Sequence, residues 1–364
     1  MKKKYDWAKD ESARELLRNY LEQGNTYSQI ADTMGTTRDS IATTTKRYNL
    51  RKGIAEPKPV SNKKEDLSKL IVQTLKDELS NIIPYKPAIQ SKEDIKGDTL
   101  VIHITDLHAG KTVKNQEGEI IYNEEVFRTR IDILCEQTLK LLDKNISKGV
   151  PIKDVVIIST GDLCNGEGIY LTQAFEQEIA PPKQVMLVVD VITKLIVSLL
   201  KRGLSVKFYG VRGNHGRTAK DTSVDSNWDI MVYAILDFWS KLVLKNPKLQ
   251  IKFAETEHMV FNIRGHNFMI RHIAPEQCDS PAGRVKINEW ARQYNVEGII
   301  YGHYHHASVS DCDDVRVFRG GSTVGGDSLS DSMAKHSEPI QLIFGVNESR
   351  VSTFIYFVDL GDKK

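Results

Sequence analysis

Cysteine is scarce in this chain: Cys135, Cys164, Cys278 and Cys312 are the only four in 364 residues, and none forms a CxxC pair. That excludes a disulfide scaffold and a thiolate zinc site, and the thiols read as reduced in a cytoplasmic protein. Long apolar runs are missing too. The longest, Val185 to Leu200, is interrupted by Asp190, Thr193 and Lys194, so it cannot span a bilayer. The opening MKKKYDWAKDESARELL is basic without an apolar core behind it, which is not a secretory-signal pattern, and no membrane partner is expected. Glycine (24) and proline (11) are too few for a collagen-like or low-complexity chain. What remains, 40% hydrophobic and 27% charged, is the composition of a globular protein. At roughly 150 residues per domain, the length allows two domains and a linker.

Charge is unevenly shared. Residues 1–64 hold 14 Lys/Arg against 8 Asp/Glu, a balance of +6, while the rest of the chain is at −4. A basic head on a mildly acidic body suggests that the head meets a polyanion. The head reads as helices. Ala8 to Leu21 has apolar residues at helical spacing, and Gly24-Asn25 stops it. Thr26 opens a second helix over Tyr27 to Met34, Gly35 turns the chain, and Thr36 or Thr37 caps a third helix that runs through Tyr48. The stretch YSQIADTMGTTRDSIATTTKRYNL resembles the helix-turn-helix domains of the homeodomain-like and resolvase type. That resemblance implies a DNA-binding domain over 1–52, with DNA contacts drawn from Arg38, Ser40, Thr43, Thr44, Lys46 and Arg47.

Residues 53–98 read as a linker with an amphipathic stripe from Leu67 to Ile82, which would pack on the body or pair with a second copy in a homodimer. From residue 99 the texture changes. Short β-rich runs (LVIHIT, DVVIIST, VKFYGV) alternate with helical stretches near 124–145, 183–203 and 226–243, and then strands separated by turns follow to the end. This predicts an α/β sandwich with a mixed sheet over 99–364.

Ligand-type residues recur where those strands end: Asp106 and His108, then Asp162, then Asn214 and His215, then His272, and last His303 and His305. Ligands of open α/β sheets sit beyond the carboxyl ends of the strands, so five strands would deliver these groups to one crevice. Two carboxylates, five imidazoles and an amide oxygen suit Mn²⁺, Fe²⁺ or Zn²⁺, with Mg²⁺ less favoured. Eight groups are too many for one ion and right for two that share a carboxylate.

The blocks D-x-H, G-D, G-N-H, H and G-H-x-H, in that order over residues 99–325, resemble the calcineurin-like metallophosphoesterase superfamily. The resemblance implies a four-layer α/β/β/α sandwich and two divalent ions, Mn²⁺ foremost. It implies that Asp106, His108 and His305 hold one ion, that Asn214, His272 and His303 hold the other, and that Asp162 bridges them. A bridging hydroxide would be the nucleophile. His215 would contact the phosphate or protonate the leaving oxygen, which makes His215, Asp162 and Asn214 the catalytic set. The superfamily usually follows G-N-H with an acidic residue; here Gly216 and Arg217 follow, leaving Asp221 or Asp225 to orient His215, and Arg217 and Lys220 to grip a flanking phosphate. His103 reads as a buried core residue, and His258, His266 and His336 as surface residues.

Metal-dependent ester cleavage joined to a basic helix-turn-helix points to a DNA nuclease, similar in active-site order to the nuclease subunit of the double-strand-break repair complex. The alternatives are a phosphatase or phosphodiesterase on small nucleotides or phosphoproteins, with the head serving localisation or regulation, and a DNA-binding regulator with a vestigial metal site.

Overall fold

The structure is a computed structural model that describes residues 5–50, 97–115, 117–170, 173–326 and 337–361. The expected linker helix from Leu67 to Ile82 lies outside the described residues, as does His336. The described residues fall into two compact units, 5–50 and 97–361.

The first unit contains α1 (Glu11–Glu22), α2 (Tyr27–Met34) and α3 (Arg38–Arg47). The apolar spacing places the start of α1 three residues too early. Asp10 accepts from the Ala13 amide at 2.9 Å, and this cap fixes the boundary. Thr26 and Gln29 form a reciprocal capping box at the head of α2, and Gly35 leaves it at φ 68°, a left-handed turn that favours glycine. Thr37 caps α3 by accepting from Ser40 N at 3.2 Å, while Thr36 is buried. Leu17, Leu21, Ile30, Met34 and Ile41 close a small core between the helices.

The second unit is built on two sheets. In the first, β1 (Asp98–Ile104) is followed by a small hairpin, β2 (Val113–Lys114) with β3 (Ile120–Tyr122), and by helix α4 (Glu124–Ser147). Then come β4 (Ile152–Ser159), α5 (Pro181–Lys201), β5 (Ser205–Gly210), α6 (Trp228–Trp239) and β6 (Leu249–Phe253). Strands β1, β4, β5 and β6 run parallel. The second sheet holds β7 (His258–Ile263), β8 (His266–Arg271), β9 (Gly298–Tyr301), β10 (Ser308–Cys312) and β11 (Val315–Arg319), in the order β10-β11-β9-β8-β7. Helix α7 (Pro281–Tyr294) links β8 to β9. The chain returns to the first sheet with β12 (Ile340–Val346) and β13 (Ile355–Asp359), which completes the order β13-β12-β1-β4-β5-β6.

Strand alternation sorts the side chains into layers. Phe268, Ile270, Ile300 and Phe318 of the second sheet face Val101, Val156, Ile158, Leu342 and Phe344 of the first. Phe318 and Phe344 stack with centroids 4.2 Å apart. The residues between them, Met269, Ile299, Tyr301 and Val317, turn outward to Ile287 and Trp290 of α7. Helices α4, α5 and α6 lie against β4, β5 and β6. The result is helix, sheet, sheet, helix. Sequence spacing missed α7, because only Gly283 and Ile287 of that helix are buried; its usable signal was the Ser280-Pro281 start and the left-handed Asn295 at its end. Among the described residues no helix is long and apolar enough to cross a membrane.

Candidate metal centre

Parallel pairing is what gathers the ligands. Beyond the ends of β1 and β4 the exit loops stay paired: Asp106 N donates to Gly161 O and His108 N to Asp162 O, both at 3.0 Å. The second sheet arrives opposite, with Gly302 N donating to His272 O at 3.1 Å and His303 N to Asp106 Oδ2 at 2.9 Å. Thr105 Oγ1 donates to the same carboxylate oxygen at 2.7 Å. Asp106, His108, Asp162, His303 and His305 all lie at positive φ, between 44° and 78°. Such a conformation costs a non-glycine residue roughly 1–3 kcal/mol and persists only where the surroundings over-determine it. Here the five residues at issue are the ones that turn sharply to aim side chains into the crevice.

The side chains converge in three overlapping groups: Asp106, His108 and His305; His108, Asp162 and His215; and Asp162, His272 and His303. Around His272 Nε2 stand Asn214 Oδ1 at 2.8 Å, Asp162 Oδ2 at 3.0 Å and His303 Nδ1 at 3.3 Å. On the other side His108 Nε2 and His305 Nε2 approach to 3.0 Å, with Asp106 Oδ1 at 4.0 and 3.6 Å from them. Asp162 belongs to two of the groups.

These residues fit a pair of divalent cations on their own chemistry. Asp106 Oδ1 is buried and makes no hydrogen bond, an orphaned anion aimed at two ring nitrogens. His272 Nδ1 donates to Thr160 O at 2.7 Å, and a carbonyl can only accept, so Nε2 is the nitrogen left to bind an ion. Asp106 and Asp162 are almost wholly buried, and two adjacent buried carboxylates require positive charge between them. Burial opposes ionisation of Asp162, yet the charges of His272 and His215 hold its carboxyl well below the usual range. His272 shows the reciprocal effect: burial disfavours its charge, but Asp162 raises it to about 9.

In the absence of an ion, therefore, His272 carries a proton at neutral pH, and an ion must displace it. Since its pKa lies above neutrality, metal affinity is expected to weaken as pH falls below about 9, with about one proton released per ion at this position. Isothermal titration of Zn²⁺ in buffers of differing ionisation enthalpy measures that proton. A heat independent of buffer would contradict the assignment of His272 as a ligand.

Some of the other expectations are corrected. Neither Asp221 nor Asp225 orients His215: both are exposed, and Asp225 pairs with Arg212 at 3.1 Å. Arg217 donates to Lys220 O at 2.8 Å, so its guanidinium closes its own loop, and Lys220 is exposed. In the first unit Thr44 is only 4% exposed and faces the core, and Ser40 Oγ accepts from the Trp7 indole at 2.8 Å; Arg38, Thr43, Lys46 and Arg47 stay exposed. His103 is buried and bonded to Thr160 Oγ1 at 2.9 Å, as expected of a core residue. His258 and His266 are half-buried instead of exposed, the first against Tyr294 and the second 2.7 Å from Glu297.

Three contributors were not singled out in the sequence. Asp229, buried in the first turn of α6, accepts from Asp162 N at 2.9 Å, Gly213 N at 2.8 Å and Leu163 N at 3.0 Å, which ties two ligand loops together. Lys111 is buried beside the cluster, and after burial its charge helps keep His215 below its ordinary pKa. Gln173 stands beside His215, with its amide nitrogen 3.4 Å from Nδ1. None of the three lies within a ligand block, and only Lys111 lies close to one.

The sequence profile of the calcineurin-like phosphoesterases matches residues 99–307, more than half of the chain and all eight of the crevice residues. The chain belongs to the calcineurin-like phosphoesterase family. Among solved structures it is similar to Vps29 of Cryptosporidium parvum, with 16% identity over 74% of this chain and 94% of that one and a TM-score of 0.36. It is similar to a novel archaeal phosphodiesterase at 15% identity, over 71% and 99% of the two chains, with a TM-score of 0.33. A predicted phosphoesterase of Streptococcus pneumoniae gives 13% identity, 73% and 92% coverage and a TM-score of 0.32. No curated protein matches the chain. Family membership makes this phosphoesterase a metal-dependent hydrolase of phosphoester bonds.

Proposed function

We propose that this phosphoesterase is a two-metal phosphodiesterase acting on DNA. Asp106, His108 and His305 would hold one ion, Asn214, His272 and His303 the other, with Asp162 shared. When bound, the ions supply a hydroxide nucleophile near neutral pH and Lewis-acid stabilisation of the phosphoryl oxygens. The imidazole-rich set favours Mn²⁺ over Mg²⁺. The observation that carries the choice of DNA is the unit at 5–50. It has the helix-turn-helix order, caps its third helix with Thr37, and exposes Arg38, Thr43, Lys46 and Arg47 along that helix. One observation favours the small-nucleotide alternative: Tyr170 is 46% exposed beside the metal centre, with its ring 4.8 Å from that of His215, and offers a flat face on which a base could stack.

The test supplies Mn²⁺ with linear duplex, circular duplex, single-stranded DNA and a nucleotide panel, with and without EDTA. DNA should be consumed, and chelator should stop it. Replacing Lys46 and Arg47 together with Ala should lower the log–log salt slope of DNA binding by up to about 2, because each phosphate contact contributes about 0.9. Cleavage of nucleotides alone, or an unchanged slope, would favour the small-substrate reading.

A further inference from the structure

An amide is an ambiguous metal ligand. Its two ends have nearly the same shape, but only the oxygen can bind a cation, so Asn214 serves an ion in one orientation of the two. Its Oδ1 stands 2.8 Å from His272 Nε2, on the side where the ligands converge. At the other end Nδ2 donates to the hydroxyl oxygen of Tyr170 at 2.9 Å. Tyr170 lies 44 residues away, on the loop that follows β4 and outside every ligand block. That loop is fastened to the G-N-H loop. The Tyr170 backbone N–H donates to Gln173 Oε1 at 3.1 Å, beside that of Ile169 at 2.9 Å. Gln173 is 2% exposed, and its Nε2 gives its two hydrogens to Asn165 O and, at 3.3 Å, to His215 O. One buried side chain thus ties Tyr170 to the neighbour of Asn214. Gly166 and Gly168 let the two loops touch, since a Cβ at 166 would overlap His215 O and one at 168 would overlap Thr218 O. The Tyr170 ring rests with its centroid 4.8 Å from that of His215, which brings the hydroxyl to the amide.

We propose that Tyr170 is a positioning residue of the metal centre, whose hydroxyl holds the Asn214 amide with Oδ1 turned to the ion that Asn214 and His272 would bind. With a cation at one end of the amide, the arrangement that puts oxygen on the ion leaves the NH₂ group at the other end, where a hydroxyl oxygen meets it. Removing that acceptor frees the amide to turn about its Cβ–Cγ bond, and the turned amide sets a donor against the cation. The other ion, held by Asp106, His108 and His305, has no amide among its ligands, so the effect belongs to one ion of the two. The inference rests on the two-metal reading of the crevice. Tyr170→Phe tests it cleanly, because it removes a single oxygen from a half-exposed side chain and keeps the ring against His215.

The experiment titrates Mn²⁺ calorimetrically into metal-free full-length protein, wild type and Tyr170→Phe. Two classes of site are expected in the wild-type protein. The variant should bind one of them about 10–100-fold more weakly, the range for losing a residue that orients a ligand, and leave the other unchanged. The weakening should persist in a His305→Ala background, which lacks a ligand of the other ion, and this assigns it to the ion at Asn214. In turnover of an aryl phosphodiester, the Mn²⁺ concentration for half-maximal rate should rise by the same factor, and excess Mn²⁺ should restore the rate. Unchanged Mn²⁺ affinity overturns the proposal, and so does equal weakening of both classes, which would mean a general loosening of the loop. A weakening that disappears in His305→Ala would place the hydroxyl at the other ion and overturn it too. A rate that excess Mn²⁺ does not restore would assign the hydroxyl to the substrate and has the same consequence. If the wild-type protein binds no Mn²⁺, the two-metal reading itself fails and takes the proposal with it.

Discussion

Asp162→Ala is expected to strip the metal centre and lower turnover by about 10³-fold or more. Asp162 is the carboxylate common to two of the three convergent groups, and its Oδ1 also accepts from His215 N at 2.7 Å. One substitution therefore removes a ligand from each ion and the anchor of the G-N-H loop. The remaining groups around His272 are an amide oxygen and imidazoles, whose affinity for a hard dication without the carboxylate is much lower. Losing about 4 kcal/mol of transition-state stabilisation already corresponds to about 10³ in rate. Metal content by mass spectrometry, measured beside turnover of an aryl phosphodiester, checks both halves. Wild-type metal content in the variant would show that Asp162 does not bridge.

Asp229→Ala should have the largest effect on stability. Four buried N–H groups, those of Asp162, Gly213, Leu163 and Cys164, lose their acceptor, at about 1–3 kcal/mol each. A loss of at least about 4 kcal/mol should lower the melting temperature by roughly 10 °C or more in a domain of this size. Asp229→Asn keeps one acceptor oxygen and should fall between the two. The pH dependence has a definite sign. Burial, then the charge of Asp162, pushes the Asp229 carboxyl up to about 6, above an unfolded value of about 3.9. The proton-linked part of its contribution to stability is therefore complete below about pH 4 and lost as pH rises through 6. The penalty of Asp229→Asn should accordingly be smaller at pH 7.5 than at pH 4.5, measured as the difference between the two melting curves. A penalty that grows with pH would contradict this.

Which parts of the centre were legible in the sequence follows from how each residue acts. Asp106, Asp162 and His303 act where they stand, at the end of a strand beside a sharp turn, and both strand and turn leave local signals. Their order along the chain was enough to define the crevice. Asp229 and Gln173 act through contacts with loops far from them in sequence, 67 residues for Asp229 to Asp162 N and 42 for Gln173 to His215, and nothing local marks them. The same limit applies to the first unit. Helical spacing indicated which residues lie on α3, but Thr44 turns inward because the packing of α3 on Ile30 and Leu17 sets its rotation. Helix α7 was missed for a related reason, since a helix covering the outside of a sheet needs only a narrow apolar contact.

The hydrogen bond from His303 N to Asp106 Oδ2 joins residues 197 apart, and the pair from Asp106 and His108 to Gly161 and Asp162 spans more than fifty. A centre closed by such distant partners cannot exist until both sheets have met, so it is expected to form late in folding. Contacts absent from the folding transition state change the rate of unfolding and leave the rate of folding almost untouched. Metal bound in the crevice is therefore expected to act as a kinetic latch, prolonging the lifetime of the folded chain without hastening its formation.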